Sequence, residues 1–66
     1  MNIMKISVRP GSNEIINEAI NLFGQTRVTS SPGFREPVYI QDLNEEEVTF
    51  ASDYFKELGK SVEVVS

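Results

Sequence analysis

The sequence predicts one α+β domain of order β-α-β-β-α-β. This is the split βαβ or ferredoxin-like arrangement, a four-stranded antiparallel sheet with two helices on one face. Three features point there. Near both ends apolar residues alternate (Met4, Ile6 and Val8; then Val62 and Val64), the period of a half-buried strand. Two intervening segments carry apolar residues at helical spacing, and each stops at a glycine. Between those helices a Pro-Gly turn separates two short β-prone runs.

The first strand runs from Asn2 to Arg9, with Lys5, Ser7 and Arg9 on its polar face and Ile3 interrupting that face. Pro10-Gly11 stops it, because proline cannot donate to a ladder. Ser12 is placed to cap a helix over Asn13–Phe23, and Glu14 sits in its first turn, where the helix dipole favours an acid. Ile15, Ile16, Ala19, Ile20 and Phe23 form its stripe, and Gly24 ends it. Thr26, Val28 and Thr29 give residues 25–30 strand propensity; without that strand the sheet would have three strands. Ser30-Ser31-Pro32-Gly33 is a turn, and a further strand covers Val38–Gln41. Asn44 and Glu47 have the spacing of a capping box, and Leu43 and Val48 that of a hydrophobic staple. Val48, Ala51, Phe55 and Leu58 line the second helix, Phe50 and Tyr54 widen its stripe, and Gly59 ends it. A last strand covers Val62–Val65. The expected core is Met4, Ile6, Val8, Val38, Ile40, Val62 and Val64 under Ile16, Ile20, Phe23, Val48, Ala51, Phe55 and Leu58.

The chain has 66 residues, enough for one domain, residues 1–66, and close to the size at which a single core is marginal. With no cysteine it has no disulfide, and with no histidine any metal would rest on carboxylates and carbonyls alone. Idealised packing or self-association is the remaining support, and the second makes a homodimer the expectation. No apolar run is long enough to span a membrane, and no signal-peptide pattern opens the chain, so a cytoplasmic location is expected. Net charge is −4, unevenly spread. Residues 1–35 carry four cations and two acids; residues 36–66 carry two cations and eight acids.

Without His or Cys the chain lacks the commonest general bases and the best nucleophile, and its scattered glycines form no phosphate loop, so no enzyme activity is expected. The acids Asp42, Glu45, Glu46 and Glu47 read as a dipole-favoured first turn and lack EF-hand spacing, so no metal or cofactor is expected.

What remains is surface. The uncovered sheet face would show Ile3, Lys5, Arg9, Tyr39 and Val65: three apolar side chains as the centre of an interface, Lys5 and Arg9 as a rim able to pair with Glu63 of a second copy. Phe34 and Arg35, beside the Pro32-Gly33 turn, have the composition of an interface anchor, though Phe34 folded onto the core is an equal alternative. The edge strand over residues 25–29 offers a third place for a partner. These features point to a small protein-interaction module, homodimeric, acting as a regulator, inhibitor or accessory subunit on a larger protein; a phage- or mobile-element-encoded inhibitor fits. A domain sensing a small ligand at a dimer interface is the alternative, with Ser7, Arg9 and Thr29 as its polar candidates. A nucleic-acid platform fits less well, because Tyr39 alone is placed to stack a base and the net charge opposes phosphate.

Overall fold

The computed structural model describes residues 3–30 and 36–65. Its elements are β1 (Met4–Arg9), α1 (Asn13–Phe23), a 3₁₀ turn (Gln25–Arg27), β2 (Val28–Ser30), β3 (Val38–Leu43), α2 (Glu45–Glu57) and β4 (Ser61–Val64). All neighbouring strands are antiparallel, in the order β2-β3-β1-β4, so β1 and β3 are central and the topology is ferredoxin-like. Helix α1 lies over β2 and β3, and α2 over β1 and β4. No helix among the described residues is long and apolar enough to cross a membrane.

The caps form as the sequence indicates. Ser12 Oγ accepts the Ile15 N–H at 3.2 Å. Asn44 Oδ1 accepts the Glu47 N–H at 2.8 Å, and Glu47 Oε1 accepts the Asn44 N–H at 3.0 Å, closing the capping box. Helix α2 ends in a Schellman motif. Gly59, at φ +80°, donates to the Lys56 carbonyl while Lys60 donates to that of Phe55.

Four boundaries differ from the sequence reading, the first being that β1 starts at Met4 with Ile3 outside it. Residues 25–27 coil into the 3₁₀ turn, so β2 is only three residues long, and the expected turn at residues 30–33 lies mostly outside the described residues. The last strand sits one residue earlier than expected, with Val65 following it but still bonded to Lys5. β3 continues to Leu43 through a bulge. Ile6 pairs with Ile40 but Met4 pairs with Leu43, so β3 spends one extra residue there, and Asp42 takes φ +60°. Unbroken alternation after Val38 and Ile40 would aim Asp42 into the core, where an unpaired carboxylate is costly. The extra residue leaves Asp42 exposed and turns Leu43 inward, where it is fully buried.

The core consists of Ile6, Val8, Val38, Ile40 and Leu43 from the sheet with Ile15, Ala19, Ala51 and Phe55 from the helices. Ile16, Phe23, Val48 and Val62 are half-buried against it, as is Leu22, which lies outside the expected stripe. Helix α1 therefore turns its Ile15–Ala19 line inward rather than the expected Ile16–Ile20 line. Two expected core residues are exposed. Val64 is 57% exposed because β4 is an edge strand, and Leu58 is 49% exposed because it is the C-cap, beyond the last full turn.

Two substitutions test this packing. A Cβ on Gly11 would lie 2.0 Å from the Glu36 carbonyl oxygen, so Gly11→Ala must separate two backbone segments. We expect it to cost on the order of 1–3 kcal/mol in urea unfolding, the usual range for overpacking; an unchanged midpoint would refute the close approach. Asp42→Val should cost about 1–2 kcal/mol although valine favours strands, because a β-branched residue resists the left-handed conformation. A stabilised Asp42→Val variant would show that residue 42 is ordinary strand.

Candidate protein-interaction surface

Two surfaces carry exposed or half-buried side chains with the composition of contact residues. The first is the uncovered face of the sheet. The register places Thr29, Tyr39, Ser7 and Glu63 in one row across the four strands, with Lys5 and Val65 paired in the next row. Ser7 is 2% exposed despite facing this side, flanked by Tyr39 and Glu63. Lys5 Nζ stands 5.4 Å from the centroid of the Tyr39 ring, a cation–π contact across the central pair. Arg9 is exposed at the far end of β1.

This geometry separates residues that the sequence reading grouped. Ile3 lies four residues from Ser7, the partner of Tyr39, or roughly 13 Å at the rise of a strand. Lys5 stands between Tyr39 and Val65. Ile3 and Val65, 63% and 47% exposed, belong to one end of the sheet, and Tyr39 to its middle. Arg9 is two residues from Ser7 along β1, and Thr29 is two strands away from it, so the three polar ligand candidates share a face without converging. Phe34 and Arg35 lie outside the described residues.

The second surface lies between the helices. Phe50, 50% exposed, packs edge-on against Phe23 at the end of α1, with ring centroids 6.3 Å apart, and leans on Tyr54 at 6.0 Å. Tyr54 meets the buried Phe55 edge-on at 5.3 Å, which anchors the row to the core. Arg27 Cζ lies 5.7 Å from the Phe23 centroid and forms one rim. At the other rim the Tyr54 hydroxyl donates to Glu18 Oε2; that bond raises the tyrosine pKa, with desolvation and the Glu18 charge adding to it. The signal for this ridge was in the sequence. Phe50 and Tyr54 are one turn apart, beside the Ala51–Phe55 stripe rather than on it.

Arg27 also ties three elements together. Its guanidinium donates to the Asp42 carbonyl at the bulge, at 2.5 Å, and to Glu47 Oε1 at 2.8 Å. One carboxylate thus serves the ion pair and the cap of α2. Glu45 and Glu46 are exposed in the same first turn, and no grouping of three metal-ligating side chains occurs among the described residues. Beyond the Tyr54–Glu18 rim lies a cleft of about 420 Å³, lined by those two residues with Ser12, Glu14 and Lys60, among others.

The Arg27 hydrogen bond, followed by that of the Asn44 N–H, holds the Glu47 carboxyl below its ordinary range. A carboxyl depressed by folding contributes stability above its unfolded pKa and loses it as pH falls through the folded value. Between about pH 7 and pH 3 the wild type should therefore lose more stability than Glu47→Gln, measured by urea unfolding at each pH. Equal losses would show that this pair does not couple to folding.

Compared with protein-family models, with curated proteins and with solved structures, the chain shows no match.

Proposed function

We propose that this domain is a non-catalytic protein-binding module that engages a larger protein through the ridge centred on Phe50, as a regulator, inhibitor or accessory subunit. The observation that carries this reading is the setting of Phe50. It is a large apolar ring, half in solvent, held between Phe23 and Tyr54. Aromatic and arginine side chains dominate the energetics of protein interfaces, and a ring already fixed by its neighbours loses little entropy when a partner covers it. Arg27 and Glu18 supply a polar rim of both signs. The absence of His and Cys from the sequence supports a role by contact rather than chemistry.

The cleft beside Ser12, Glu18, Tyr54 and Lys60 favours a second reading, the binding of a small polar molecule. Its volume falls in the range of ligand sites, and it offers hydroxyls, carboxylates and an ammonium. A thermal-shift screen with amino acids and nucleotides tests it, because a true ligand raises the melting temperature as its concentration passes Kd.

The ridge reading is tested by placing a photo-crosslinking amino acid at position 50 and irradiating in extract of the producing cells. We expect one discrete larger adduct, which a crosslinker at Tyr39 does not give. With that partner purified, Phe50→Ala should weaken binding by more than about 2 kcal/mol, the hot-spot range. It should lower stability by only about 1–2 kcal/mol, because half the ring is already in solvent. An Ala variant that binds normally, or one that unfolds like a core truncation, would remove Phe50 from the interface.

A further inference from the structure

The two edges of the sheet are finished differently. β2 is three residues long, follows directly on a 3₁₀ turn, and exposes Thr29 and Ser30. Shortness and polarity are common guards against pairing with another chain. β4 is guarded less: it is one residue longer than β2, and two of its four residues are valine. Its residues, Ser61-Val62-Glu63-Val64, include no lysine, no proline and no bulge. Val64 and Val65 are 57% and 47% exposed, on opposite faces of this strand's end, and Ile3 is 63% exposed at the same end of the sheet.

The backbone of β4 shows what the edge can accept. The Val65 N–H bonds to the Lys5 carbonyl at 2.7 Å, and Ser7–Glu63 and Arg9–Ser61 follow in the same register. In an antiparallel ladder these alternate residues turn their polar groups to the partner strand, and those between turn theirs away. Val62 and Val64 therefore direct their N–H and C=O groups outward from the sheet.

We infer that β4 is a self-pairing edge, along which two copies of this chain join antiparallel about a two-fold axis into one eight-stranded sheet. The side chains select a second copy as the occupant. With the axis at Val64, the two Val64 side chains meet on the helix side. On the open side each Glu63 falls opposite the other copy's Val65, in the row that continues to the other copy's Lys5. Glu63 and that lysine are then two strands apart, roughly 10 Å between Cα atoms, which a lysine side chain spans by swinging from Tyr39 toward the acid. With the axis at Glu63, two carboxylates would face each other directly, which destabilises a pair of strands. The self-paired edge covers Val64 and Val65 and adds burial to a chain whose core is small. The ridge at Phe50 lies on the side of α2 that faces α1, so both surfaces can be occupied together.

Sedimentation equilibrium over a wide concentration range tests the inference with three variants. The wild type should approach twice the chain mass. Val64→Pro removes an outward N–H and none that bonds to β1, so it should weaken self-association at least tenfold while circular dichroism of the dilute protein is unchanged. Should Val64→Pro fail to fold, Val64→Lys keeps the backbone donor and places a charge at the seam, and it too should be monomeric. Phe50→Ala should dimerise like the wild type. A wild type that stays monomeric at every concentration overturns the inference, as does a folded Val64 variant that dimerises normally. Loss of the dimer in Phe50→Ala alone would move self-association to the ridge, which separates failure of the edge from failure of the Phe50 reading.

Discussion

One extra residue in β3 sets the geometry of half the domain. The bulge at Asp42 re-phases the strand so that Ile40 and Leu43, three residues apart, both enter the core. It also fixes where the chain leaves the sheet and where Asn44 begins α2. Arg27 holds this point from the other side of the fold, through the Asp42 carbonyl and the Glu47 carboxylate. The capping box and the ion pair share one oxygen of Glu47, so the start of α2, the bulge and the turn after α1 are ordered as a unit. A surface ion pair alone contributes little. This one joins three elements at one point, and the same guanidinium lies 5.7 Å from the Phe23 ring that meets Phe50.

The aromatic row follows from how the helices divide the sheet. Helix α1 covers β2 and β3, and α2 covers β1 and β4. Each helix spends its smallest buried residue, Ala19 or Ala51, on close approach to the strands. Large side chains one step around each helix then bridge the space between them. Phe23 and Phe50 do so at one end, Glu18 and Tyr54 further along. Phe55 lies wholly inside and supports Tyr54, so the row is anchored in the core although its outer member is half in water.

Much of this fold was legible in the sequence, and the failures have physical causes. Periodicity found both helices and all four strands, and cap chemistry found both helix starts and ends. Local patterns could not reveal the bulge, because its cause is a tertiary choice between burying Asp42 and burying Leu43. The same limit applies to residues 25–27. Thr26 has strand propensity, yet it lies in a 3₁₀ turn from which Arg27 reaches Asp42 and Glu47, contacts 15 and 20 residues away that no local pattern shows. Val64 alternates properly with Val62, yet alternation says nothing about whether a strand is at the edge, where a neighbour is missing. The candidate site was less legible. The sequence placed Lys5, Arg9 and Tyr39 on the open face, where they are found. It gave Phe50 and Tyr54 only as a widening of the second helix's stripe and named neither as a contact residue, because a stripe read from one helix does not show how wide the facing helix is.

Exposed apolar side chains are ordinary in a domain this small, since more than half of any folded surface is apolar. Leu58 is of that kind, the residue that ends a helix. Phe50 and Val64 are different, for separate reasons. Phe50 is fixed between two other rings, so its exposed surface has a defined shape. Val64 turns its backbone groups to the outer edge of β4, where no strand pairs with them among the described residues, so the surface around it has a defined hydrogen-bonding pattern. Shape selects a side-chain surface as partner, and a hydrogen-bonding pattern selects a strand. On the readings proposed above the two features would make two different contacts, one on the helix layer and one at the edge of the sheet.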